Sequence, residues 1–70
     1  MNEASILKLV VEKYARRHGL TMRQVAESLY MSRSSLSMKL SGKRPITLHE
    51  AHDFAVLLGI SLDALYELVA

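Results

Sequence analysis

Cysteine is absent from the 70 residues, proline occurs once (Pro45), and glycine occurs three times (Gly19, Gly42 and Gly59). Without cysteine there is no disulfide framework, no thiolate zinc site and no cysteine nucleophile, and the chain suits a reducing compartment. Long hydrophobic runs are also missing. Every apolar stretch is short and broken by charge, which excludes a transmembrane span and a signal peptide and leads us to expect a cytoplasmic protein with no membrane partner. Disorder is excluded from the other side, because half of the residues are hydrophobic and the net charge is only +2. At this length one domain, residues 1–70, is expected. A fold this small buries roughly 60% of its unfolded surface, enough for one modest core but not for a deep catalytic cleft. Such a chain acts mainly through its surface.

The small net charge conceals a division along the chain. From Lys13 to Arg44 there are eight cations (Lys13, Arg16, Arg17, Arg23, Arg33, Lys39, Lys43 and Arg44) against one anion, Glu27. From Pro45 onward there are no cations and four anions (Glu50, Asp53, Asp63 and Glu67). This asymmetry fits a fold with one end facing a polyanion; a merely solvated basic face is the alternative.

Local punctuation divides the chain into helices. An apolar residue, a Ser or Thr, and a second apolar residue five positions after the first recur as Leu20-Thr21 with Val25, Met31-Ser32 with Leu36, and Ile60-Ser61 with Leu65. Each phrase combines an N-cap hydroxyl with a hydrophobic staple. Ile46-Thr47 with Ala51 is a weaker version. Thr21 with Gln24 and Thr47 with Glu50 also have the capping-box spacing. Each glycine closes an apolar-periodic segment, where a left-handed residue ends a helix. The reading is an all-α fold of five helices at about 4–18, 21–29, 32–41, 47–58 and 61–69, with no strand pattern. The expected core stripe of helix 1 is Ile6, Leu9, Val10 and Tyr14, widened by Leu7 and Val11. Helix 2 supplies Val25, Ala26 and Leu29. Helix 4 supplies Leu48, Ala51, Phe54, Ala55 and Leu58, and helix 5 supplies Leu62, Leu65 and Leu68.

Helix 3 does not read as core. Only Leu36, Met38 and Leu40 are apolar, and at about 100° per residue Ser34, Ser37, Met38 and Ser41 fall opposite Leu36 and Leu40, with Arg33 and Lys39 at the edges. Serines lower helix propensity, so this composition calls for a reason outside local folding. A major groove supplies one, since it admits one α-helix whose outward side chains are short. Ser can donate to or accept from base edges, Met can touch a thymine methyl, and Arg33 can pair bidentately with guanine. Ser32, as N-cap, sets the positive end of the helix near a phosphate.

The run from Thr21 through Ser37 (TMRQVAESLYMSRSSLS) resembles the helix-turn-helix of the phage repressor and Cro (XRE-type) family. Ser41-Gly42-Lys43-Arg44-Pro45 resembles that family's loop after the recognition helix. Leu57-Leu58-Gly59-Ile60-Ser61-Leu62-Asp63-Ala64-Leu65 resembles its link from helix 4 to helix 5. The three motifs follow in order, and the likeness covers residues 6–68. It implies a five-helix lambda-repressor-like fold with the helix-turn-helix at helices 2 and 3. It implies base contacts from Arg33, Ser34 and Met38, with Ser37 a fourth candidate. Phosphate contacts are implied for the start of helix 2 (Thr21 and Arg23), for Ser32, and for Lys43 and Arg44. Four positions depart from the family. Met22 stands where Gln often holds a phosphate. Tyr30 occupies a turn position commonly Gly, so either the turn differs or the residue is strained. Ala15 and Leu40 stand where many relatives pair an Arg with a Glu, leaving the reader's orientation to the packing of Leu36 and Leu40.

A metal site at His49, His52 and Asp53 lacks supporting ligands, and we expect no enzyme, metal, cofactor or small-molecule ligand. The expected function is a sequence-specific regulator of double-stranded DNA, a phage-type or bacterial repressor. It is expected to dimerise through the C-terminal helix, where Tyr66, Val69 and Ala70 exceed what the core needs. The rival is an antitoxin- or antirepressor-like interaction module that keeps the fold but not the DNA.

Overall fold

In the computed structural model the backbone is described for residues 3–69 and the side chains for residues 6–68. Five helices and no strand occur among the described residues: α1 (Glu3–Arg17), α2 (Met22–Ser28), α3 (Arg33–Leu40), α4 (Leu48–Leu58) and α5 (Leu62–Val69). Four of them start as the sequence indicates. Thr21 Oγ1 accepts from the Gln24 amide at 3.1 Å, Ser32 Oγ from Ser35 at 3.1 Å, Thr47 Oγ1 from Glu50 at 3.2 Å, and Ser61 Oγ from Ala64 at 3.1 Å. Both capping boxes close, because Gln24 Oε1 and Glu50 Oε1 accept from the cap amides of Thr21 and Thr47 at 2.8 and 2.9 Å. With the N-cap residues set outside the helices, the observed starts of α2 to α5 lie one residue later than the spacing suggests.

Four helix ends share one hydrogen-bond pattern, in which two amides beyond the helix fold back onto its last turn. The Gly19 and Leu20 amides donate to Arg16 and Ala15, Gly42 and Lys43 to Lys39 and Met38, and Gly59 and Ile60 to Val56 and Ala55. The same pattern ends α2, where Tyr30 donates to Glu27 at 3.1 Å and Met31 to Ala26 at 3.0 Å. This motif needs a left-handed residue, and Tyr30 supplies it at φ 59°. Of the two outcomes open for this turn, the strained residue is the one observed. Tyr30 is 88% exposed, so it gains little packing in return.

The core joins all five helices around Leu7, Val11, Val25, Leu36, Leu40 and Phe54, each 2% exposed or less. Ala26 of α2, Leu29 at its C-terminal cap and Leu65 of α5 are buried as expected, with Leu62 and Leu68 packed at the edge. Helix α1 differs from expectation. Its buried line is Leu7, Val11 and Ala15, whereas Ile6 and Leu9 are 40% and 55% exposed. From Ile6 to Val11 the helix is apolar almost all round, so periodicity selects no face there. The choice falls to packing against α3 and α5. In α4 Phe54 and Ala55 are buried, but Leu48, in the first turn, is 66% exposed. Ala15 and Leu40 are both buried, so these two positions are filled by apolar side chains.

Tyr30→Gly removes the left-handed penalty on a side chain and gives up almost no contact. It is expected to stabilise the fold by about 1 kcal/mol in urea denaturation; a loss of stability would mean that the exposed ring makes a contribution of its own.

Candidate nucleic-acid interface

Leu36 and Leu40 lie one turn apart on α3 and are both buried, which turns the opposite side of the helix outward. Ser34 and Ser37 are exposed and Met38 is 36% exposed. The hydroxyls at the two helix ends are engaged with backbone: Ser32 caps the start, and Ser41 Oγ donates to the Met38 carbonyl at 3.1 Å. Those of Ser34 and Ser37 make no hydrogen bond among the described residues, so both their donors and acceptors are available. Arg33, at the first position of the helix, is exposed beside them.

The basic loop is tied to this helix. Lys43 and Arg44 donate their amides to the Met38 carbonyl at 2.9 and 3.3 Å, so one carbonyl of α3 holds the backbone of both cations. An open cleft of about 550 Å³ brings Arg33, Ser34, Ser37 and Met38 together with Lys43. Thr21, Arg23, Ser32 and Arg44 lie outside it. Thr21 has its hydroxyl committed to the capping box. Arg23 Nε stands 3.8 Å from Glu27 Oε1 in a pair so exposed that it is worth little.

Two residues on the cleft wall were not singled out from sequence. Lys8 and Glu12 line it from α1, and Met22 lines it from α2. Both precede the basic run that begins at Lys13, and the fold brings them to the cleft that Lys43 also lines. Lys39 also differs from expectation. It does not edge an open face: its side chain is 12% exposed and pairs with Glu50 of α4, which is 19% exposed. The orientation of α3 therefore has a support besides Leu36 and Leu40. On α4 itself, His49 Nε2 and His52 Nδ1 stand 3.6 and 3.8 Å from the two oxygens of Asp53.

A helix of eight residues is about 12 Å long, close to the width of a major groove. An outward face of short hydroxyls, flanked by cations whose backbone is pinned to the same helix, suits a duplex. The helix-turn-helix family model HTH_3 matches residues 11–65. The chain belongs to this helix-turn-helix family. It is a DNA-binding domain of a regulatory type. No curated protein and no solved structure matches it. No helix among the described residues is long and apolar enough to cross a membrane.

Proposed function

We propose that this helix-turn-helix domain is a sequence-specific transcriptional repressor, of phage or bacterial type, that acts by occupying its operator. The observation that carries the reading is the outward face of α3, where Ser34, Ser37 and Met38 stand exposed while Leu36 and Leu40 anchor the helix from behind. Arg33 pairs with guanine O6 and N7, the two serines meet base edges, and Met38 packs on a thymine methyl. Ser32 still has its hydroxyl proton to donate after accepting from Ser35, and it contacts a phosphate at the helix start. Lys43 and Arg44 hold the phosphates beyond the other end of the helix. Thr21 and Arg23 contribute from the start of α2, Thr21 in a minor way because its hydroxyl is already committed. Lys8 adds an anchor from α1 to a cleft that Met22 lines from α2 without being able to hold a phosphate. Glu12 in the same wall opposes phosphate and keeps the α1 side from binding any duplex too well.

One such helix reads only a few base pairs, and a two-fold pair on a pseudopalindrome doubles the site. Half-site centres then lie roughly 34 Å apart. The fold is 27 Å across its longest axis between Cα atoms, so neighbouring copies at that spacing meet through side chains. The C-terminal helix is the proposed contact. Tyr66 is 49% exposed there, whereas the side chains of Val69 and Ala70 lie outside the described residues.

Selection of bound duplexes from a random pool tests the reading, with an enriched two-fold site as the expected result. An affinity indifferent to duplex and to salt would instead favour the protein-interaction module. Arg33→Ala is expected to cost about 1–3 kcal/mol on the selected site and to relax preference at one base pair. Lys43→Ala should weaken all duplexes alike and make the slope of log K against log salt shallower by about 0.9. Lys8→Ala is expected to follow Lys43→Ala, at about the same change in slope. If Arg33→Ala and Lys43→Ala gave the same pattern, the separation of readers from anchors would fail.

A further inference from the structure

We propose that the Lys39–Glu50 pair sets the roll of α3 about its own axis, making Lys39 a positioning residue for base reading and not a contact to DNA. This rests on α3 being the reading helix. The argument begins with what the buried leucines leave undetermined. Leu36 and Leu40 lie on a single line along the helix, and the backbone of α3 packs on α1 and α2. Two anchors on one line fix the depth of a helix but only weakly resist rotation about that line. Outward side-chain atoms sit about 6 Å from the axis. A roll of about 20° moves them about 2 Å, beyond the distance window of a hydrogen bond.

A third point off the line is therefore needed, and Lys39 supplies it. On the helical wheel Lys39 sits about 60° from Leu36, on the flank away from Arg33 and Ser37. Its ammonium reaches across to α4 and pairs with Glu50 Oε2 in a largely buried position. Glu50 is itself held, since Oε1 accepts from the Thr47 amide at 2.9 Å and its own amide donates to Thr47 Oγ1 at 3.2 Å. The carboxylate is thus fixed to the start of α4 before it meets the lysine, and the restraint passes to a rigid element. Helix dipoles favour the arrangement, with a cation in the last turn of α3 and an anion in the first turn of α4. Burial makes the pair stiff: breaking it strands one charge where water reaches poorly. It also withdraws Lys39 from the phosphates.

Three variants test this: Lys39→Met, Glu50→Gln and Lys39→Arg. Gln keeps the capping box at position 50 but not the charge. Its loss of an anion would tighten DNA binding if overall electrostatics governed. The measurements are affinity for the selected duplex and for a scrambled one at several salt concentrations, the thermal midpoint, and amide residual dipolar couplings of the free protein. Lys39→Met and Glu50→Gln are expected to lower the preference for the selected duplex by about tenfold. Scrambled-duplex affinity and salt slope should stay near those of the parent, and Lys39→Arg should retain the preference. The couplings should show α3 reoriented relative to α1 in the first two variants. A Lys39→Met variant that weakened both duplexes alike and lost about one charge of salt slope would make Lys39 a phosphate contact and overturn the inference. Unchanged or sharpened preference in Glu50→Gln would overturn it too. If the parent prefers no duplex, the repressor reading fails on its own, and the couplings decide the roll: an α3 orientation equal to the parent's in Glu50→Gln ends the inference.

Discussion

Helix α3 is held to the body along one buried line, Leu36 and Leu40, and that line decides which of its side chains stay exposed. Eight residues form barely two turns, too few to be stable alone. The helix persists because its ends are closed and its back is packed: Ser32 caps the start, Gly42 ends it, and the leucines bury against α1 and α2. With stability supplied from behind, the front can be built from residues that would otherwise weaken a helix. Four serines between Ser34 and Ser41 are affordable only on those terms. The small side chains that let a backbone approach a duplex and the leucines that compensate for them are two sides of one design.

Charge follows the same geometry. Arg33 of α3, Lys43 of the loop that follows it and Lys8 of α1 line one cleft, and α4 and α5 contain no Lys or Arg. Lys39 is the exception among the central cations, because Glu50 neutralises it inside the fold. The pairing is economical in sequence: one acidic residue caps α4 and receives the lysine. Glu12 is the reverse exception, an anion inside the cleft. A polyanion meeting this cleft faces Arg33, Lys43 and Lys8 together with one carboxylate, so favourable contact depends on orientation.

Legibility from sequence divides by range. The caps and glycine ends were readable because each is decided within six residues: Thr21 with Gln24, Thr47 with Glu50, Gly59 after Leu58. The exposed face of α3 was readable because leucines and serines segregate on it. The buried face of α1 was not, since Ile6, Leu7, Leu9, Val10 and Val11 present apolar surface in nearly every direction, and only packing against α3 and α5 selects Leu7 and Val11. The Lys39–Glu50 pair joins residues eleven apart in different helices, and no local pattern marks it. Lys8 and Glu12 illustrate the same limit, because a charge balance taken along the chain does not predict who stands beside whom across a cleft.

Tyr30 ties these strands together. A domain of this size has roughly 4–10 kcal/mol of stability, and a tyrosine in the left-handed region consumes about 1–2 kcal/mol of it. The turn nevertheless keeps its geometry, because the Tyr30 and Met31 amides are bonded back to Glu27 and Ala26, and Met31 packs against the core. Leaving the left-handed conformation would break both hydrogen bonds and pull Met31 from its place, a larger loss than the strain. The angle between α2 and α3 is thus over-determined by backbone bonds and core packing, and the residue at the bend has to comply. The roll of α3 has no such redundancy. It rests on a stripe of two leucines and one ion pair, which makes roll, and not the bend, the soft coordinate of α3.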